Sequence, residues 1–163
     1  MTIKIRIAHL EDLEQLVELF NAYREFYEEA SDIGLARRFL QDRLSKKDSV
    51  IFVAEDAVAG TADNKNHSQK LIGFCQLYPT FCSVIASPIC VLYDLFVDAD
   101  IRKSGAGKAL MLAAHDYAAN NDYARLDLTT AKTNLKAQSL YESLGWVRDD
   151  VFYTYNKTIT PAK

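Results

Sequence analysis

Apolar and basic residues alternate over residues 3–8, IKIRIA, which is the two-residue period of a β-strand. The period then lengthens: Leu13, Leu16, Val17 and Phe20 form one stripe and predict a helix from about Leu10 to Glu29. A second helix is expected over 33–45, where Leu35, Phe39, Leu40 and Leu44 are apolar among charges and SKKDS closes the run. The segments SVIFVAED and LIGFCQLY read as strands around a polar hairpin tip, GTADNKNHSQ, at 60–69. After Pro88 the nearly continuous apolar run 89–97 predicts a buried strand, and 105–120 a helix that packs through Leu110, Leu112, Ala113 and Tyr117. YARLDLTT at 123–130 is the next strand, NLKAQSLYESLG at 134–145 a short helix closed by glycine, and WVRD with VFYTYNKTI a last hairpin. The order β-α-α-β-β-β-α-β-α-β-β predicts an α/β fold around a mixed sheet.

At 163 residues and 49% hydrophobic composition the chain can bury one substantial core, so a single domain over 1–163 is expected. Its 19 basic and 22 acidic residues, net −3, offer no general attraction for nucleic acid or an anionic membrane. Any anion site must be local. The first twenty residues carry several charges, and no later window is apolar enough to span a bilayer, so a cytoplasmic protein is expected. Cys75, Cys82 and Cys90 match neither a disulfide framework nor a metal motif, and His9, His67 and His115 lack ligand spacing. No metal is expected.

The local anion site is foreshadowed by RKSGAGKAL at 102–110, where two glycines and three cations open a helix. Glycine permits close approach, and a helix start presents unpaired N–H donors. A Walker loop is excluded because Arg102 takes the place of its first glycine and Ala109 that of its hydroxyl. A dinucleotide fingerprint fails because DADIRKS separates the turn from the strand and Leu110 fills the last small position. The pattern that fits is R-x-x-G-x-G after an L-x-V strand.

In that pattern, and in its order of elements, the chain resembles the GNAT superfamily of acyl-coenzyme A N-acyltransferases, most densely from Tyr93 to Trp146. The resemblance implies a mostly antiparallel sheet of about seven strands with four helices, splayed between strands 4 and 5. It implies acetyl-CoA as cosubstrate, its pyrophosphate wrapped by Arg102, Lys103, Ser104, Gly105, Ala106, Gly107 and Lys108, in keeping with the affinity of helix N-termini for phosphate. Phe96 and Val97 are implied to meet the pantetheine arm through their main chain. In AQSLYESLGW, which matches the family's A-x-x-L-Y-E-x-x-G-[FW] helix, Tyr141 is implied to protonate the departing thiolate. Asn134, an N-cap by residue type, is implied to reach the pantetheine or pyrophosphate as well.

An attacking amine, with a reference pKa of about 10.4 for lysine, must lose a proton, and Asp94 within VLYDLFV is the candidate acceptor. A carboxylate in an apolar strand is costly unless it faces a cleft. YDLFV also resembles strands of aminoglycoside acetyltransferases and of a fungal histone and polyamine acetyltransferase subgroup. YREFYEEASD, at 23–32, resembles the same subgroup, so Tyr27, Glu28 and Glu29, with Asp32 and Asp94, are candidates for attracting a cationic acceptor. The expected activity is transfer of acetyl to a primary amine by direct attack in a ternary complex; polyamine, aminoglycoside-like, lysine and peptide N-terminal amines all remain open. The alternative is a non-catalytic acyl-CoA sensor or partner-binding module. The aromatic last strand, VFYTY, suggests a homodimer.

Overall fold

The computed structural model describes residues 2–56 and 69–160. The expected hairpin tip at 60–69 lies, except for Gln69, outside them. The chain divides after Thr129 into two compact units.

In the first unit, β1 (Ile3–Ile7), β2 (Val50–Asp56), β3 (Leu71–Cys82), β4 (Ser87–Val97) and β5 (Leu126–Asp127) form one sheet in chain order. The pairs are antiparallel up to β4, and β4 meets β5 in parallel. Helices α1 (Leu13–Phe26) and α2 (Ile33–Lys46) precede β2, and α3 (Ala106–Asn120) joins β4 to β5. Leu16, Val17 and Phe20 of α1 and Leu40 of α2 bury their side chains with Val53, Phe74 and Phe96 of the sheet. Phe74 and Cys75 are consecutive, so their side chains take opposite faces. The Cys75 thiol lies 3.7 Å from the Leu110 carbonyl, which puts α3 on the face away from α1. Its packing stripe is Ala106, Leu110, Met111, Ala114 and Ala118; Leu112, expected in the core, is 43% exposed.

Among the described residues the seven-strand expectation is corrected to five strands with four helices, the fourth being α4 (Leu135–Ser143) in the second unit. No residue of 146–160 is in a strand. The alternation in VFYTY is real, but turn chemistry takes the donors a ladder needs: Asp149 Oδ1 accepts from the N–H groups of Val151 (2.8 Å) and Phe152 (3.1 Å). Phe152, Tyr153 and Tyr155 are each at least 80% exposed. β5 is likewise shorter than the predicted 123–130 and pairs only as Cys90↔Leu126 and Val91↔Asp127. From Leu92 onward β4 has no paired β5 residue.

One polar cluster fixes the start of this frame. Arg6 of β1 holds Asp12 through two hydrogen bonds of 2.7 Å and Glu55 of β2 through one of 2.5 Å. Asp12 also accepts the His9 N–H at 2.7 Å and so closes the turn that leads into α1. Burial pushes the Asp12 carboxyl up, but the Arg6 hydrogen bonds, the His9 N–H and the guanidinium charge outweigh it and hold the group below its ordinary value. A depressed folded pKa contributes stability that is present above the unfolded value and is lost as pH falls through the folded one. Asp12→Asn is therefore expected to cost about 3 kcal/mol near pH 7 and progressively less below about pH 4, as urea melts across pH will read.

Candidate active site

Register places the first functional side chain. Gln76 of β3 pairs with Asp94 of β4, but Leu77 pairs with Leu92, so Tyr93 is an extra residue in β4. In a regular strand Leu92, Asp94 and Phe96 would share a face. The bulge resets the alternation. Leu92 and Leu95 go with Leu77 and Cys75 to the α3 face, whereas Asp94 and Phe96 go with Gln76 and Phe74 to the α1 face. Tyr93 is left 68% exposed with its ring edge-on to Tyr78 at 5.9 Å.

Asp94 is consequently buried, at 5% exposure, beneath the aromatic side of α1. The Tyr23 hydroxyl donates to its carboxylate, and the Tyr23 ring also packs edge-on against Phe74, Phe96 and Tyr27. Burial pushes the carboxyl up to about 6, with the Tyr23 hydrogen bond working against it. Burial and the Asp94 charge together push the hydroxyls of Tyr23, Tyr27 and Tyr78 above the ordinary tyrosine value. Among the described residues, no lysine or arginine forms an ion pair with Asp94. The arrangement is a poorly solvated carboxylate ringed by phenols, suited to receiving a cation and to taking a proton near neutrality.

Past Asp94, β4 runs into the expected turn. The Asp98 N–H bonds back to Ile72 of β3 at 2.9 Å, so alternation aims the Val97 N–H and carbonyl at the edge that β5 leaves open. Arg102 Nε lies 3.5 Å from that carbonyl, and its guanidinium lies 5.6 Å from the centre of the Phe26 ring. A Cβ at Gly73 would stand 2.7 Å from the Phe96 carbonyl, so only glycine lets β3 approach β4 this closely. The side chain of Phe96, together with Leu19, Ala22, Glu18, Lys70 and Asp98, also lines a cleft of about 360 Å³ beside α1.

Gly105 is the N-cap of α3 at φ 92°, and Lys103 also has positive φ, 72°. A Cβ built on Gly105 meets nothing within 4 Å, so the turn leaves open space in front of the helix. The Ser104 hydroxyl accepts the Ala106 N–H at 3.3 Å, and the turn of helix begins with Ala109 N–H to the Gly105 carbonyl at 3.0 Å. The N–H groups of Gly107 and Lys108 belong to the helix's open end, and Arg102, Lys103 and Lys108 are exposed around it. This cradle fits a pyrophosphate: open space, free-end N–H groups, a helix dipole and three cations.

The second unit carries Asn134 and Tyr141. Asn134 is the N-cap of α4, accepting from the Ala137 N–H at 3.3 Å. Tyr141 is half-buried near the helix end, its ring 6.3 Å from that of Trp146, whose N–H bonds the Tyr141 carbonyl at 3.1 Å.

The acidic candidates divide. Tyr27 sits against Tyr23 at 5.2 Å and feels the Asp94 charge, so these three act as one group. The predicted first helix instead ends at Phe26, and Glu28 (φ 64°) and Glu29 are exposed residues of the α1–α2 connection. Asp32 caps α2 by accepting from the Leu35 N–H at 2.8 Å. Sequence reasoning missed Tyr23 and Gln76. Tyr23 stands four residues before Tyr27 on the helix, and Gln76 is a polar residue in an apolar strand, the same signal that exposed Asp94. Cys75 offers no covalent route, since burial pushes its thiol up to about 12.

Comparison with known proteins bears on the family and the fold. The sequence model described as the acetyltransferase (GNAT) family matches residues 16–146. The uncharacterized N-acetyltransferase YhfO of Bacillus subtilis (strain 168) is 44% identical over 159 residues, 98% of this chain and 99% of the relative. A crystal structure of a probable acetyltransferase superposes with a TM-score of 0.82 at 35% identity, covering 98% of this chain and 99% of that one. At the level of fold, an aminoglycoside acetyltransferase from an uncultured soil metagenomic sample, in complex with sisomicin, aligns with a TM-score of 0.73 at 22% identity over 97% of both chains. The chain belongs to the GNAT family of acetyltransferases and is an N-acetyltransferase.

Proposed function

We propose that the chain transfers the acetyl group of acetyl-CoA to a primary amine that carries additional positive charge, by direct attack in a ternary complex. The observation that carries this reading is Asp94: a buried carboxylate with no ion pair among the described residues, beside the Tyr23, Tyr27 and Tyr78 phenols, on the strand that leads into the glycine turn. Such a group lowers its own desolvation cost when an ammonium arrives, and then takes the proton that blocks nucleophilic attack. Acetyl-CoA supplies the activated acetyl thioester. Arg102 to Lys108 hold its pyrophosphate, and the Val97 N–H, at the open edge of β4, meets the pantetheine arm with Phe96 as the wall behind it. The polyamine, aminoglycoside-like and lysine amines all share the required charge, and Tyr27 with Glu28 and Glu29 would greet that charge at the entrance. Tyr141 is assigned the proton for the departing thiolate and Asn134 a second contact to the cosubstrate arm; what supports both is the match of their helix to the family motif.

Gly105→Val is expected to abolish the rise in melting temperature that acetyl-CoA gives the wild type without metal, because a branched side chain fills the open space and disfavours the positive φ. Unchanged affinity in the folded variant would remove the pyrophosphate from this turn.

Tyr141→Phe keeps the ring, so turnover should fall roughly ten- to a thousandfold with CoA affinity little altered, as steady-state kinetics and calorimetry will separate.

Asp94→Asn should lower turnover roughly a hundredfold near neutrality and partly recover at high pH, where more of the amine is already neutral. The same substitution should stabilise the fold. The folded carboxyl, at about 6, lies above the unfolded reference of 3.8, so its cost sets in as pH rises between them and is complete above the higher value. Thermal melts should show Asp94→Asn ahead by on the order of 2–3 kcal/mol at pH 7.5 and level with the wild type below about pH 4. A pH–rate profile of the variant identical to that of the wild type would dismiss Asp94 as the proton acceptor.

A further inference from the structure

Gln76 is fully buried, and its amide is only half satisfied. Nε2 donates to the Ser49 hydroxyl at 2.8 Å, while Oε1 is buried with no hydrogen-bond partner among the described residues. An orphaned acceptor of this kind costs roughly 1–3 kcal/mol and needs a reason. The ladder supplies one. Gln76 pairs directly with Asp94, and paired residues in an antiparallel ladder carry their side chains to the same face, with Cβ atoms about 5 Å apart. As long as Asp94 is ionised, its carboxylate and Gln76 Oε1 are both acceptors and cannot bond to each other, while Nε2 is turned to Ser49. The only change that gives the Gln76 oxygen a donor from its ladder partner is protonation of Asp94.

We propose that Gln76 is a positioning residue for proton transfer, its Oε1 held in reserve to accept the hydrogen that the Asp94 carboxylate takes from the substrate ammonium. The inference rests on the reading of Asp94 as proton acceptor and adds a partner that reading lacks. The step balances: one N–H bond of the ammonium breaks, its electron pair stays on nitrogen for the attack, and the proton forms an O–H bond on Asp94. That O–H then donates to Gln76 Oε1. Tyr23 already donates to the carboxylate and favours the ionised form, so the two neighbours pull in opposite directions and poise the group between them. The other groups around Asp94 are Tyr27 from α1, Tyr78 and, across the sheet, Cys75 from β3, with Arg43 and Asp48 acting on Tyr78. None of them is an acceptor that substitutes for Gln76 on the same ladder rung.

The test is a carbon-13 NMR titration of the unliganded full chain, following the Asp94 carboxyl and the Gln76 side-chain carbonyl together. Both signals should move with one midpoint, and Gln76→Met, which keeps volume and removes the acceptor, should lower the Asp94 midpoint by about one pH unit. In kinetics, the acid limb of kcat/KM should move the same way, a response that loosened packing would not give. A Gln76 carbonyl that stays flat while Asp94 titrates would overturn the proposal. So would a midpoint raised by Gln76→Met, the outcome if the amide nitrogen donates to the carboxylate. The wild-type titration decides the matter even if the Met variant does not fold. Coupled titration in a chain that acetylates no amine would refute the acetyl-transfer role of Asp94 and leave the Gln76–Asp94 pair standing.

Discussion

One extra residue in β4 sets the chemistry of the first unit. Without the bulge at Tyr93, parity would send Asp94 to the same face as Leu92 and Leu77, against α3, where Leu110, Met111 and Ala114 pack with no polar partner to offer. With it, a carboxylate stands beneath Tyr23 and beside Gln76, and its desolvation is converted from an unrecoverable cost into a proton affinity near the working range of an amine acetyltransferase. The stability spent on that burial is moderate because Tyr23 keeps one hydrogen bond on the carboxylate in the resting state.

The same strand links Asp94 to the glycine turn. β4 pairs tightly with β3 through Val97, helped by the missing side chain at Gly73, yet meets β5 over only two residues. The β3 ladder fixes the strand on one edge, and on the other the Val97 main chain faces away from β3 with its carbonyl 3.5 Å from Arg102 Nε. Beyond Val97 the chain turns through Lys103 and Gly105, both at positive φ, into the N-terminus of α3. Asp94, the strand edge at Val97 and the turn at 102–108 are thus ordered along one short stretch, and the spacing between them is set by backbone geometry rather than by flexible side chains.

Much of this was legible in the sequence, and the reason differs by element. The helix stripes and the turn at 102–108 were readable because their signals are local: period, glycine placement and flanking apolar runs. Asp94 was readable as a charge inside an apolar strand. The bulge that aims it was not, because VLYDLFV contains no glycine or proline to mark the extra residue, and register is a property of two strands. Tyr23 and Gln76 were missed for a related cause: each comes beside Asp94 only when α1 and β3 are set against β4. The final hairpin failed in the opposite direction, since VFYTY has strand periodicity but the preceding Arg148-Asp149-Asp150 folds back on its own backbone and on itself, with Arg148 paired to Asp150 at 3.1 Å.

The most direct measurement is the release of free thiol from acetyl-CoA by the purified chain across a panel of amines, spanning polyamines, aminoglycosides, lysine peptides and neutral amines, at low and physiological salt. Turnover concentrated in primary amines with additional positive charge, and an apparent affinity that weakens as salt screens the entrance, is the expected result. Acetyl-CoA binding without thiol release on any amine, or a neutral or acidic acceptor preferred over the cationic ones, would contradict it.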